Sequence, residues 1–436
     1  MSATTPEMAC TYGNGVGEIG NAPVATRAVV AAAVAGNALE FYDFVTYAFF
    51  AVYIGNSLFP QHTAYISLLM SVGVFGIGFL ARPLGGVVFG LMGDRIGRRA
   101  SLIVTIVLMT AGTLGVALTP SFSTIGIAAP VIVVIARLLQ GLALGGEIGP
   151  SSAFLVESAP AGKRGLYASW QLGSQGAGIL VAGLMGVLFS RVLSHADMLA
   201  WGWRVPFLIG LLIVPLAMYM RRAMPETLHS VPMAHTTPRH RASTAPGKLV
   251  VIAVGVILGG TVSTYVGNYM TTYAITALKM PAAVAMGATV AVGLFTLVFS
   301  IVGGWLCDRY GRKPIMFWPR VLAAVATVPA FLLLNAVPTP LTLVLVSAFL
   351  AALTAISGAA SLVAIPEAFA RRHRALGLGV AYAVGVSIFG GTTQFIITWL
   401  IHATGNPVAP AWYVTIASIV TAIAMLAMPE TRDEPT

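Results

Sequence analysis

The sequence is poor in charge. Only 9% of its 436 residues are Asp, Glu, Lys or Arg and 57% are hydrophobic, whereas a soluble domain carries about 25% charged residues. With a mean hydropathy of +0.88, a water-soluble globular protein is excluded, and the lipid bilayer becomes the solvent to reason with. Cysteine is scarcer still. Cys10 lies in a polar stretch and Cys307 beside a charged turn, and these two thiols make neither a disulfide framework nor a metal-ligand cluster. The N-terminus lacks the basic-then-apolar order of a signal peptide and reads as a disordered tail. There is no phosphate-cradling loop in a soluble context, no nucleophile paired with a base and no cofactor loop. An enzyme reading therefore has nothing behind it. ATP drive and a bound cofactor are not expected.

What is present is a charged turn used twice. Gly90-Leu-Met-Gly-Asp94-Arg95-Ile-Gly97-Arg98-Arg99 stands between two apolar runs, and Gly304-Trp-Leu-Cys-Asp308-Arg309-Tyr-Gly311-Arg312-Lys313 stands between two others. Such a loop cannot lie in hydrocarbon, so it marks a polar turn on a membrane face. A spanning helix needs about twenty mainly apolar residues. Twelve runs qualify, near 28–54, 65–92, 100–119, 127–155, 165–190, 203–222, 249–278, 283–306, 315–335, 340–365, 375–401 and 410–428. The fold class is therefore an all-α membrane protein of twelve transmembrane helices. Residues 1–27 form a tail, 28–222 one six-helix bundle, 223–248 a basic, proline-containing linker, 249–428 a second six-helix bundle and 429–436 a C-terminal tail.

Orientation follows from the loop cations. Eighteen Lys and Arg fall on the side of the charged turns, only Arg191, Arg204 and Lys279 on the other, and Arg82, Arg137 and Arg320 inside predicted helices. Both termini are therefore cytoplasmic in a bacterial-type plasma membrane. The net charge of +10 is a topology signal, and nucleic acid is an unneeded partner. Pro225-Glu226-Thr227 and Pro429-Glu430-Thr431 close the two bundles, and Glu157 and Glu367 each precede an arginine by seven residues. Parallel repeats of this kind are a transporter architecture, with the substrate site near the midplane between them.

Taken together, these residues resemble the major facilitator superfamily over essentially the whole chain. A narrower resemblance is to its metabolite:proton symporters. It rests on Gly36-Asn37-Ala-Leu-Glu40-Phe-Tyr42-Asp43-Phe, Gly78-Phe-Leu-Ala-Arg82-Pro83, Arg137-Leu-Leu-Gln140-Gly141, Ser169-Trp170-Gln171 and Trp201-Gly-Trp203-Arg204-Val-Pro206-Phe. Within that group it is most similar to the citrate and tricarballylate branch. The resemblance implies proton-coupled uptake of organic acids, with zwitterions such as proline and betaine also carried in the group, by a functional monomer. One position departs from the pattern. Citrate-type members tend to carry a basic residue after the Thr-Tyr pair of helix 7, and here Thr272-Tyr273 is followed by Ala274-Ile275-Thr276. That leaves room for a dicarboxylate or an aromatic carboxylate.

The buried charges supply the candidate chemistry. Asn37, Glu40, Asp43 and Tyr47 share one side of helix 1 by their spacing. A carboxylate at mid-membrane costs about 2.5–3.5 kcal/mol on insertion scales, so it faces a cavity or a partner. Desolvation favours the neutral acid and a nearby arginine favours the anion. Asp43, Glu40 and Glu147 are therefore proton-coupling candidates, with a permanent structural ion pair as the alternative. Arg137 lies about 13 Å into helix 4 at 1.5 Å per residue, and its planar fork suits a carboxylate. Arg137, Gln140, Gln171, Gln175, Asn268, Tyr269, Tyr273 and Arg82 are the candidate substrate contacts. Charge balance is the alternative for the arginines, and interhelical hydrogen bonding for the amides and phenols. Asp94, Arg95, Arg98, Asp308 and Arg309 are read as gating parts, since the resemblance implies that this loop latches the cytoplasmic side. The glycine-rich stretches Gly73–Gly78 and Gly141–Gly146 read as close helix packing.

The leading expectation is proton-coupled uptake of a di- or tricarboxylate, citrate or a near relative first. A carrier of an aromatic carboxylate, shikimate or a zwitterion, an exporter, a sugar-type porter and a transporter-like nutrient sensor are the alternatives. A neutral sugar needs no buried cation, and a sensor needs no gating turn in both halves.

Overall fold

In the computed structural model, residues 27–60, 62–96, 98–145, 155–156, 158–160, 162–222, 246–369 and 380–431 are described. The chain begins with α1 (Arg27–Phe49) and α2 (Ala51–Leu58), which together take the place of the first predicted run. The second run is also split, into α3 (Ala64–Leu80) and α4 (Arg82–Ile96). Pro83 has no N–H to continue the α3 ladder, so the helix breaks at Ala81 and restarts with Arg82 at its head. Next come α5 (Arg98–Leu118), α6 (Ala128–Gly145), α7 (Arg164–Val192), α8 (Val205–Arg222), α9 (Pro246–Thr276), α10 (Ala282–Tyr310), α11 (Arg312–Ala336) and α12 (Pro340–Ala368). They are followed by α13 (Val380–Thr404), which contains a π-helical stretch at Gly385–Gly390, and α14 (Ala409–Leu426). Among the described residues, nine helices are long and apolar enough to cross a membrane, and Ile103–Leu118 is a shorter apolar helix.

Lipid offers no hydrophobic drive between helices, so close packing and polar contacts must hold them together. The glycines provide the closeness. A Cβ on Gly141 of α6 would sit 1.8 Å from the Gly78 carbonyl oxygen of α3, so these two backbones touch only because no side chain intervenes. The same device runs along α7 and α10, where a Cβ on Gly176 would meet the Leu297 nitrogen at 2.4 Å and one on Gly293 the Leu180 nitrogen at 2.3 Å. α3 packs against α13 at mid-helix through Gly76 and Gly391. Near the far end of the same pair, Tyr65 stacks on His402 with ring centres 3.7 Å apart. α7 therefore lies against α10, and α3 against α13, with α1 and α9 also in contact. These pairs surround the site.

Candidate functional site

A cavity of about 170 Å³ opens between these helices, with Arg82, Gln171, Gln175, Ser263, Tyr265 and Arg320 among its polar walls. Two arginines and no carboxylate line it among the described residues. The α3–α4 break directs Arg82 here. Its guanidinium carbon lies 3.9 Å from the Phe79 ring centre and 4.4 Å from that of Phe44. Tyr265 is a close neighbour, and Nε and Nη2 of Arg82 are buried without a partner.

Arg137 is fully buried at 0% exposure and does not line the cavity. It sits among aromatic rings, 4.3 Å from the Phe44 ring centre, 4.7 Å from that of Tyr47 and 5.0 Å from that of Phe75. The two guanidinium carbons both lie against the Phe44 ring and so are less than 9 Å apart. At an effective dielectric of about 20, two such charges repel by roughly 2 kcal/mol. Ring faces and carbonyls offset part of this, and an anion would offset more. Nε and Nη2 of Arg137 are also without partners.

Asp43 is buried, and among the described residues no ion pair joins it to an arginine. A chain of hydrogen bonds does. Arg137 Nη1 donates to Gln140 Oε1 at 2.6 Å, Gln140 Nε2 donates to Thr113 Oγ1 at 2.9 Å, and Thr113 Oγ1 reaches Asp43 Oδ2 at 3.4 Å. Asp43 Oδ1 has no partner and points at Gly210 of α8, where a Cβ would lie 2.1 Å away. A direct structural ion pair is therefore replaced by an indirect link through an amide and a hydroxyl. Thr113 carried no chemistry in the sequence reading. One threonine among many on apolar helices gives no signal of its own.

The other residues of the sequence reading divide. Gln171 and Gln175 line the cavity, and Gln171 Nε2 also donates to Asn37 Oδ1 at 3.1 Å, tying α7 to α1. Asn37 therefore turns toward α7 while Asp43 turns toward α5 and α8. Glu40 is half-buried. Asn268 is buried with neither amide atom paired. Tyr269 accepts from Thr398 Oγ1 at 2.9 Å, and Tyr273 donates to the Pro407 carbonyl at 2.9 Å; neither lines the cavity. Glu147 and the side chains of Asp94 and Arg98 lie outside the described residues, and Arg95 is exposed.

The second charged turn is a built network. Asp308 accepts from the backbone nitrogens of Gly165 at 2.8 Å and Leu166 at 2.9 Å, so the end of α10 caps the first turn of α7. Arg312, one of the cations counted on the charged-turn side, is buried. It grips Glu367 through Nε at 3.1 Å and Nη2 at 3.3 Å, and reaches Asp308 at 3.4 Å. Glu430 accepts from the backbone nitrogens of Arg312 and Lys313, both at 2.9 Å, and caps α11. Arg309 instead is exposed beside Trp305 and Tyr310. The repeated Pro-Glu-Thr and the spaced glutamates were the sequence signal for this network.

Residues 28–246 match the Sugar (and other) transporter family, and residues 252–436 match the Major Facilitator Superfamily. A citrate-proton symporter of Salmonella typhi is 36% identical over 397 residues, covering 90% of this chain and 92% of that protein. The chain belongs to the major facilitator superfamily. This major facilitator is also 34% identical to the alpha-ketoglutarate permease of Escherichia coli K12, over 91% of its own length and 92% of the relative's. It is 31% identical to the proline/betaine transporter of the same organism, over 94% and 84%. Its fold is that of the Escherichia coli xylose transporter XylE in a partially occluded inward-open conformation, with a TM-score of 0.77 at 19% identity, covering 94% of this chain and 99% of that one. It is a membrane transporter and not an enzyme.

Proposed function

We propose that the protein is a proton-coupled symporter for a small organic acid, a di- or tricarboxylate with citrate the first candidate. It works as a monomer in a bacterial inner membrane, with both termini cytoplasmic and no cofactor or ATP. Twelve spanning helices in two six-helix bundles rock about the cavity to give alternating access. The observation that carries this reading is a cavity bearing arginines without a counter-acid among the described residues, beside a buried Asp43 linked to Arg137. A buried charge with no direct partner is costly unless it is neutralised by a proton or an anion. Substrate carboxylate supplies the anion for the arginines. An anion held at Arg82 offsets the positive field of Arg82 and of Arg137, less than 9 Å away, and the Asp43 carboxylate, linked to Arg137 through Gln140 and Thr113, then takes the proton. Gln171 and Gln175 give uncharged hydrogen bonds at the cavity wall, and the Asp308 network closes the cytoplasmic end. The named activities of the citrate-proton symporter and the alpha-ketoglutarate permease support the substrate class.

A second reading, a zwitterion carrier, is favoured by the proline/betaine relative and by Phe41, Tyr265 and Tyr382 on the cavity wall, since aromatic faces suit a quaternary ammonium. Uptake of labelled citrate into proteoliposomes under an inward proton gradient, with and without protonophore, separates these readings. Gradient-driven uptake is expected, abolished by protonophore and by Asp43→Asn, with substrate exchange retained in the variant. Uptake of 2-oxoglutarate or succinate alone changes the substrate and keeps the mechanism. Uptake of betaine and of no acid overturns it.

A further inference from the structure

The third arginine of the membrane interior, Arg320, has no role in the coupling chain. It stands eight residues into α11, about 12 Å from the helix start at 1.5 Å per residue, and only 1% of it is exposed. An arginine at that depth must be met by an anion, water or backbone carbonyls. Only part of it is met. Nη1 donates to the Gly259 carbonyl at 3.1 Å and to Ser263 Oγ at 2.9 Å, both on α9 and both neutral. Nε is buried without a partner. Nη2 is the nearest atom, at 3.6 Å, to where a Cβ on Gly260 would stand, and Gly260 itself lines the cavity. A guanidinium offers five N–H donors in a fixed fork, and the α9 contacts occupy one nitrogen. Arg320 lines a chamber without a carboxylate among its described walls, and its Nη2 lies on the Gly260 side.

Arg82 reaches the same chamber from α4, and its neighbour Tyr265 is also on α9. Gly259, Ser263 and Tyr265 span less than two turns of α9, roughly 9 Å along its axis. Both arginines are thus placed against one stretch of one helix on the chamber wall. Arg137 is not the second cation of the chamber, because it is fully buried and is not among the residues that line it.

We propose that Arg320 is the second carboxylate anchor of the cavity, and that Arg82 and Arg320 together select substrates with two or more anionic groups over monoanions and zwitterions. This rests on the organic-acid reading above and adds the residue that sets its specificity. One carboxylate meets Arg82 beside Tyr265. A second accepts a forked pair of hydrogen bonds from Arg320. An ammonium in the second position would meet a guanidinium and no acid.

The test compares whichever of citrate, 2-oxoglutarate and succinate the wild type binds with its monoamide, in which one carboxylate has become a carboxamide. Dissociation constants are measured by titration calorimetry on protein in nanodiscs. The wild type is expected to prefer the acid by about tenfold or more, the scale of one lost charge-assisted hydrogen bond. In Arg320→Gln that preference collapses to near unity while the monoamide binds as before, which also shows that the variant folds. An acid-to-monoamide ratio unchanged in Arg320→Gln overturns the proposal. So does an equal loss of both ligands that Arg320→Lys restores for both, because that marks a packing role against Ser263. If Arg320→Gln does not reach the membrane, Arg320→Lys carries the test: a ratio reduced by loss of the fork supports the proposal and an unchanged ratio overturns it. A wild type that binds betaine and none of the acids overturns the organic-acid reading itself, and no collapsed ratio in a variant resembles that result.

Discussion

Replacing Asp308 by asparagine is expected to open the end of the molecule that carries the charged turns. Gly165 and Leu166 are the second and third residues of α7, whose first four N–H groups have no partner within the helix. The Asp308 carboxylate accepts from both, and its charge faces the positive end of the helix dipole. Hydrogen bonds to a charged group contribute about 1.5–3 kcal/mol each, and loss of a helix cap costs about 0.5–2 kcal/mol. Asparagine keeps one acceptor and turns an NH₂ toward the other N–H, so a net loss of about 2 kcal/mol is expected. The clasp exists only while the ends of α7 and α10 are together, and α7 and α10 come from opposite sides of the proposed bundle division. A loss of that size therefore shifts the open-to-closed ratio by roughly 30-fold. Spin labels at the exposed positions 163 and 310, after Cys10→Ser and Cys307→Ser, report the separation by electron–electron resonance. The variant should gain a long-distance component, and gradient-driven uptake should slow. The Arg312–Glu367 pair is untouched by the change and keeps α11 in place. A folded variant with the wild-type distance distribution would refute the assignment of the clasp as a latch.

Two further outcomes follow from contacts already described. Thr113→Val removes the hydroxyl between Gln140 and Asp43 and leaves the Gln140 Nε2 donor buried without an acceptor, at a cost of about 1–3 kcal/mol. Uptake under a proton gradient should fall by about tenfold or more and return in Thr113→Ser; wild-type coupling in the valine variant would remove the chain from the mechanism. Gly141→Ala places a Cβ 1.8 Å from the Gly78 oxygen, so α3 and α6 must part by more than about 1 Å at an overpacking cost of about 1–3 kcal/mol. Thermal unfolding in detergent should show a midpoint lower by several degrees, and an unchanged midpoint would show that this contact yields freely.

Much of the fold was legible because the bilayer enforces it. A run of apolar residues long enough to span has few other uses, and eight of the nine long apolar helices fall within about five residues of their predicted bounds; the ninth starts at Ala128 as expected and is described only to Gly145, short of the predicted 155. Pro83 after Arg82 could have announced the break between α3 and α4, since a proline in a helix interior removes a hydrogen bond. The glycine-rich stretches of α3 and α6 were read as packing, and Gly78 and Gly141 do touch. The π-helical stretch of α13 was not legible. Nothing in Gly385–Gly390 except its glycines separates it from an ordinary helix.

The charges show where sequence reasoning stops. Depth follows from position along an apolar run, so Arg82, Arg137 and Arg320 were all placed inside the membrane. Direction around the helix does not follow, because each residue turns it by about 100° at 3.6 residues per turn. Predicted boundaries that drift by two residues therefore lose the facing of every side chain. That is why Arg137, the favoured anion contact, proves to be buried among aromatic rings away from the cavity wall, while Arg82 and Arg320 reach the cavity. The same uncertainty covers Arg309 and Arg312, which lie three residues apart. Gly311, with φ at +102°, ends α10 and starts α11 in a new direction. Arg309, on the old helix, faces outward, and Arg312, on the new one, meets Glu367. A left-handed glycine between two helices resets the facing of whatever follows. The cations after such a turn are therefore the ones whose partners must be read from packing, and here they are the ones that form the network.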